Sequence, residues 1–155
     1  MGDRVTCGLT LFGNFPGQKA DTFFQILRLN DEEGEVKKED FLKGESCKFL
    51  FWDVNYAEMP QDLKSFLEEN NVGYSWDWDA GDDYPAGILV WNHHTRIEEE
   101  YTYANHEIHL PISDFSDPEK IKRALDLNNY ITNTKMFIYN SNHELLEKMK
   151  EEQNG

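Results

Sequence analysis

Apolar and polar residues alternate as soon as the chain begins. Val5, Cys7, Leu9 and Leu11 take every second place, with Thr6, Gly8, Thr10 and Phe12 between them, so residues 4–12 predict a strand with one clearly apolar side. Gly13-Asn14-Phe15-Pro16-Gly17 interrupts it, and Ala20, Phe23, Phe24 and Leu27 then recur at helical spacing. Residues 30–46 are polar and charged and read as a solvated connection. Residues 48–56 predict a second strand, with Phe49 and Phe51 on one side and Leu50, Trp52 and Val54 on the other; apolar residues on both sides point to a central place in the sheet. Leu63, Phe66 and Leu67 behind Pro60 predict a helix over 60–70, which Asn70-Asn71-Val72-Gly73 ends.

The stretch from Gly73 to Asn92 concentrates three of the four tryptophans, four aspartates and three glycines, and the rest of the chain reads as organised around it. Tyr74, Trp76 and Trp78 alternate with Ser75, Asp77 and Asp79, predicting a strand over 74–79; Gly81 to Pro85 turn the chain, and 86–92 predict a strand that re-enters the core with Ile88 and Trp91. Strands over 95–104 and 107–112 form a hairpin about a turn at Asn105. A two-residue turn sets Tyr101 and Tyr103 against Ile108 and Leu110, leaving Arg96, Glu98, Glu100, Thr102, Glu107 and His109 on the other face, because a slip of one residue would reverse every side chain. Ser116-Asp117-Pro118-Glu119 starts a helix over 117–128 with Ile121, Ala124 and Leu125 as its buried stripe. Lys135 to Tyr139 predict a short strand, and Ser141-Asn142-His143-Glu144 is a capping box for a helix over 142–152. The expected fold is a single α+β domain spanning residues 1–155, a mainly antiparallel sheet with helices packed on one face, ferredoxin-like and elaborated with extra strands.

The run Phe51-Trp52-Asp53-Val54-Asn55-Tyr56, the leucine-bearing helix after it, Val72-Gly73-Tyr74, Asp79-Ala80-Gly81, Tyr84 and Gly87 resemble uncharacterised ferredoxin-like proteins of bacterial plasmids and phages. The resemblance covers the middle of the chain and implies an origin in a mobile element. It assigns a role to no residue.

Charge changes the picture more than composition does. Thirty Asp and Glu face 15 Lys and Arg, a formal charge of -15. No basic run is present to neutralise phosphates, so direct nucleic-acid binding and attraction to an anionic membrane are both disfavoured. The partner this charge suits is a basic protein surface, including the nucleic-acid groove of another protein. The expected partner-binding residues are Asp77, Trp78, Asp79, Asp82, Asp83 and Tyr84 around the turn, where indole and carboxylates could grip Arg and Lys, with Glu98, Glu100 and Glu107 on the acidic sheet face.

Candidate chemistry is sparse. The aspartates around Gly81 suggest a calcium loop, but Ala80 and Ile88 stand where that loop needs oxygen ligands. His93, His94, His106 and His109 lie near Glu107, yet no helical His-Glu-x-x-His is present, and His93 and His94 are expected on opposite sides of a strand. Cys7 and Cys47 read as free thiols. No apolar signal core follows Met1, and no apolar stretch is long enough to span a bilayer. The expectation is a cytoplasmic, non-catalytic acidic protein without cofactor or metal, acting as a phage- or plasmid-encoded inhibitor that mimics nucleic-acid charge and blocks a host defence or DNA-processing protein. Its rivals are a metal-dependent hydrolase built on His94 and His109 and a regulatory protein-binding module without mimicry.

Overall fold

A computed structural model describes residues 4–30, 32, 36–55, 57–82 and 84–154. Asp83 and the predicted strand end at Tyr56 lie outside the described residues. The chain runs β1 (Arg4–Pro16), α1 (Ala20–Leu29), α2 (Lys38–Leu42), β2 (Lys48–Asn55), α3 (Gln61–Glu69), β3 (Gly73–Trp78), β4 (Gly87–Asn92), β5 (Ile97–Ala104), β6 (Glu107–His109), α4 (Pro118–Asn133), β7 (Met136–Tyr139) and α5 (Asn142–Asn154). The fold is α+β, with a sheet in the order β2-β1-β3-β4-β5-β6 whose adjacent strands are antiparallel, and β7 added in parallel to the end of β1.

The organising element is β1, not the stretch after Gly73. Its first part pairs with β2 on one side and β3 on the other, and Gly13 to Pro16 pair with β7. Gly13 sits at φ 86, where a side chain is strained, and a Cβ there would come within 2.6 Å of the His93 ring. β2 stands at the end of the sheet path rather than in its middle, and Trp52, expected in the core, is 55% exposed. An apolar residue on the outer face of an edge strand gives the same sequence pattern as a central strand. In the split βαβ unit of a ferredoxin-like fold the two strands joined by the helix are parallel and separated; here β1 and β2 are antiparallel neighbours despite the helices between them.

The main core lies between one sheet face and α1 to α3. Val5, Cys7, Leu9 and Leu11 of β1, Phe49 and Phe51 of β2, and Tyr74 and Trp76 of β3 are all buried on it. Phe15, Phe23, Phe24, Phe41, Phe49 and Phe66 fill the space beneath the helices, with Phe15 and Phe41 edge to face at 4.9 Å and Phe23 and Phe49 at 5.3 Å. Such pairs contribute about 0.5–1.5 kcal/mol each beyond burial of area. Phe41 corrects the reading of residues 30–46 as solvated throughout: it is fully buried and anchors the five-residue α2. Val36, Phe41 and Leu42 are too few in this charged run to set a period.

Helices cover both faces of the sheet, not one. On the second face α4 lays Leu127 and Tyr130 over Phe12, Ile88 and Val90. Asp117 caps it, accepting from the Glu119 N–H at 3.1 Å, and it continues to Asn133, beyond the expected end at 128. Its buried stripe is Ala124, Leu127 and Tyr130, whereas Leu125 is exposed. The turn between β5 and β6 is Asn105-His106, both at positive φ, and Tyr103 pairs with Ile108 as the register argument requires. Beyond His109 the chain leaves the sheet, and Ile112–Ser116 forms a 3-10 turn in place of the strand expected to 112.

Candidate functional site

Strand pairing places side chains in rows across the face on which α1 to α3 pack. One row runs Cys7, Trp78, Gly87, Thr102 and His109; the next runs Leu9, Trp76, Leu89 and Glu100; the third runs Leu11, Tyr74, Trp91 and Glu98. The helices cover the β1 end of these rows, and their acidic end stays open. The result is an open groove of about 900 Å³, floored by Trp76, Trp78 and Leu89 and walled by Met59, Tyr84 and Pro111. Glu58, Glu98, Glu100 and Asp114 line it, against Lys64 as the one Lys or Arg among the described lining residues.

Each tryptophan of the floor is fixed by its indole N–H. Trp76 donates to the Ala57 carbonyl at 2.9 Å and is buried; Trp78 donates to the Pro85 carbonyl at 3.2 Å and is half-buried. Gly87, the cross-strand partner of Trp78, lets that ring lie against the strand, since a Cβ would stand 2.4 Å from it. An indole held in this way presents a preorganised surface at the acidic end of the sheet.

Two of the protein's own cations already occupy this face. Lys64, on α3, makes an ion pair with Glu98. Arg96 lies 5.1 Å from the centre of the Trp91 ring and donates to Asn71 Oδ1 at 2.7 Å. Carboxylate and indole surfaces in these rows therefore take basic side chains with the geometry of ion pairing and cation-π contact.

The expected partner residues divide. Trp78, Tyr84, Glu98 and Glu100 converge on the groove. Glu107, paired with Ala104, shares their sheet face beyond it and is exposed. Asp79 and Asp82 are exposed on the turn. Asp77 points to the opposite face, beside Gly8, where burial raises its carboxyl above the usual range against the pull of Lys48. It is removed from the set because alternation along β3 puts it behind Trp78. Sequence reading missed Lys64, Glu58 and Asp114, which arrive from α3, the loop before it and the turn after β6.

The histidines do not form one cluster. His93 and His94 lie in the turn after β4, rings 4.0 Å apart rather than on opposite sides of a strand. His109 pairs with Thr102 at the far end of β5, five residues from Ile97 and so roughly 17 Å along the strand. No group of three His, Cys, Asp or Glu among the described residues is placed to hold a metal ion. His93 is buried, with Nδ1 2.6 Å from the Tyr130 hydroxyl, and burial, with the neighbouring His94 charge, pushes its pKa down to about 4. The neutral ring pins the β4–β5 turn to α4.

No family model matches this chain, and no curated protein or solved structure matches it. Among the described residues no helix is long and apolar enough to cross a membrane.

Proposed function

We propose that the protein is a non-catalytic acidic interaction protein that binds a basic protein surface through the groove face. One observation carries this reading: Glu98 and Glu100 stand on the same face as Trp78 and Tyr84, around an open groove with four carboxylates and one lysine. The formal charge of -15 would speed encounter with a basic partner, and the aromatic floor supplies contact area once the two meet. The partner class that best suits this charge is a nucleic-acid-binding protein, whose Lys and Arg respond to the position of negative charge. The mobile-element origin implied by the resemblance fits an inhibitor of a host defence or DNA-processing protein.

The test is capture from bacterial lysate at about 50 and about 200 mM salt. A nucleic-acid-binding protein should be retained at the lower salt, be displaced by added DNA or RNA, and be lost to the Glu98→Gln/Glu100→Gln double variant. A captured partner that binds DNA and this protein together, or that ignores the double variant, would remove charge mimicry through this face.

A further inference from the structure

We infer that the groove is a receptor for an extended arginine-bearing segment, and that Lys64 is a built-in competitor for it. This rests on the acidic-interaction reading above and names the ligand chemistry of the same site.

The concavity comes first. Glu98 and Glu100 line a recess between the α3 side and the residues after β6, so the basic element of a partner has to protrude to reach them. A recess accepts a protruding chain. Its charge selects a cationic one: Glu98 is paired with Lys64 and Asp114 with Lys120, while Glu58 and Glu100 have no Lys or Arg partner among the described residues.

The internal cations show how such a chain would be held. Along this sheet face, Arg96 covers Trp91 and Lys64 pairs with Glu98, so the row ending in Glu98 is satisfied by the protein itself. The neighbouring rows offer the same two elements, Trp78 lying on Gly87 and Glu100 opposite Leu89, and among the described lining residues no second Lys or Arg reaches them. A planar guanidinium can lie against the Trp78 indole while donating to Glu100, which an ammonium does less well. The next basic residue of the ligand then competes with Lys64 for Glu98. Displacing Lys64 subtracts from affinity, so the lysine favours ligands with at least two cations over isolated ones.

Labelled Gly-Arg repeat peptide, the matching Gly-Lys peptide and spermine are the probes, with affinity read by fluorescence anisotropy and variant folding checked by circular dichroism. The expected order is Gly-Arg over Gly-Lys over spermine. Glu100→Gln should weaken the Gly-Arg peptide by roughly fivefold and Trp78→Leu by roughly three- to thirtyfold. Lys64→Gln should tighten it by roughly fivefold, while Glu147→Gln/Glu151→Gln on α5 should leave it unchanged. The inference is overturned if Lys64→Gln weakens binding or leaves it unchanged, if the α5 variant weakens it as much as Glu100→Gln does, if spermine equals the peptide, or if neither wild type nor Lys64→Gln binds any probe. In that last case lysate capture that remains sensitive to Glu98 and Glu100 would leave the acidic-interaction reading standing and remove only the segment receptor.

Discussion

Acidification should destabilise this protein through one side chain, His93. Its imidazole is 8% exposed, lies against His94, and is hydrogen-bonded to Tyr130. The fold holds the neutral ring, with a pKa pushed down to about 4, while the unfolded chain takes the proton near the ordinary 6.5. Between those values the unfolded state binds more protons, so the contribution is fully present above 6.5 and is lost as pH falls toward 4. Going from about pH 7.5 to about pH 5 converts this difference into a loss of about 2 kcal/mol, within a ceiling of about 3 kcal/mol at lower pH. In a domain of this length that corresponds to about 4–8 °C in Tm. Asp77 acts in the opposite sense, because a raised carboxylate pKa makes the folded state gain its proton first and adds stability as pH falls. The comparison that isolates His93 is therefore urea unfolding of wild type and His93→Gln at both pH values, since Asp77 cancels between them. Wild type should lose about 2 kcal/mol more than the variant on acidification. Equal losses would refute the reasoning, as would an NMR titration of the wild-type His93 ring with its midpoint near 6.5.

Phe41→Ala should cost about 3–5 kcal/mol, measured by urea midpoint, because Phe41 meets Phe15, Phe23, Phe24 and Phe49 and is the buried anchor of α2; a cost below about 1 kcal/mol would mean that α2 is dispensable to the core. In native protein at about pH 8, iodoacetamide should label Cys47 well before Cys7, since burial, assisted by Asp77 and Asp79, pushes the Cys7 thiol up to about 12 and leaves it 1% exposed; equal rates by mass spectrometry would contradict the position of Cys7 in the core.

Several features were legible because short-range chemistry settles them. The period of two put Leu9 with Val5, Cys7 and Leu11 on one side of β1 and Trp76 with Tyr74 and Trp78 on one side of β3, and the short turn at Asn105 fixed Tyr103 against Ile108. Asp117 and Ser141 announced the starts of α4 and α5, and both accept the expected backbone hydrogen bonds, from Glu119 and Glu144. The polarity of Glu98 and Glu100 followed from the same register. Phe41, the exposed position of Trp52 and the placement of α4 over Phe12 and Val90 were not legible, because each depends on which distant element arrives above a given residue.

The sequence by itself determined the α+β class, the mainly antiparallel pairing, the acidic charge and the separate presence of an aromatic strand and an acidic strand. Only the tertiary structure decided that the two belong to one site. Trp78 and Glu100 lie on β3 and β5, and it is β4 between them, through Gly87 against Trp78 and Leu89 against Glu100, that puts both on one face. Alternation within a strand is local, but the face two strands share is set by their pairing register, and that is chosen by the whole core packing at once. The same packing brought Lys64 of α3 across the groove to Glu98.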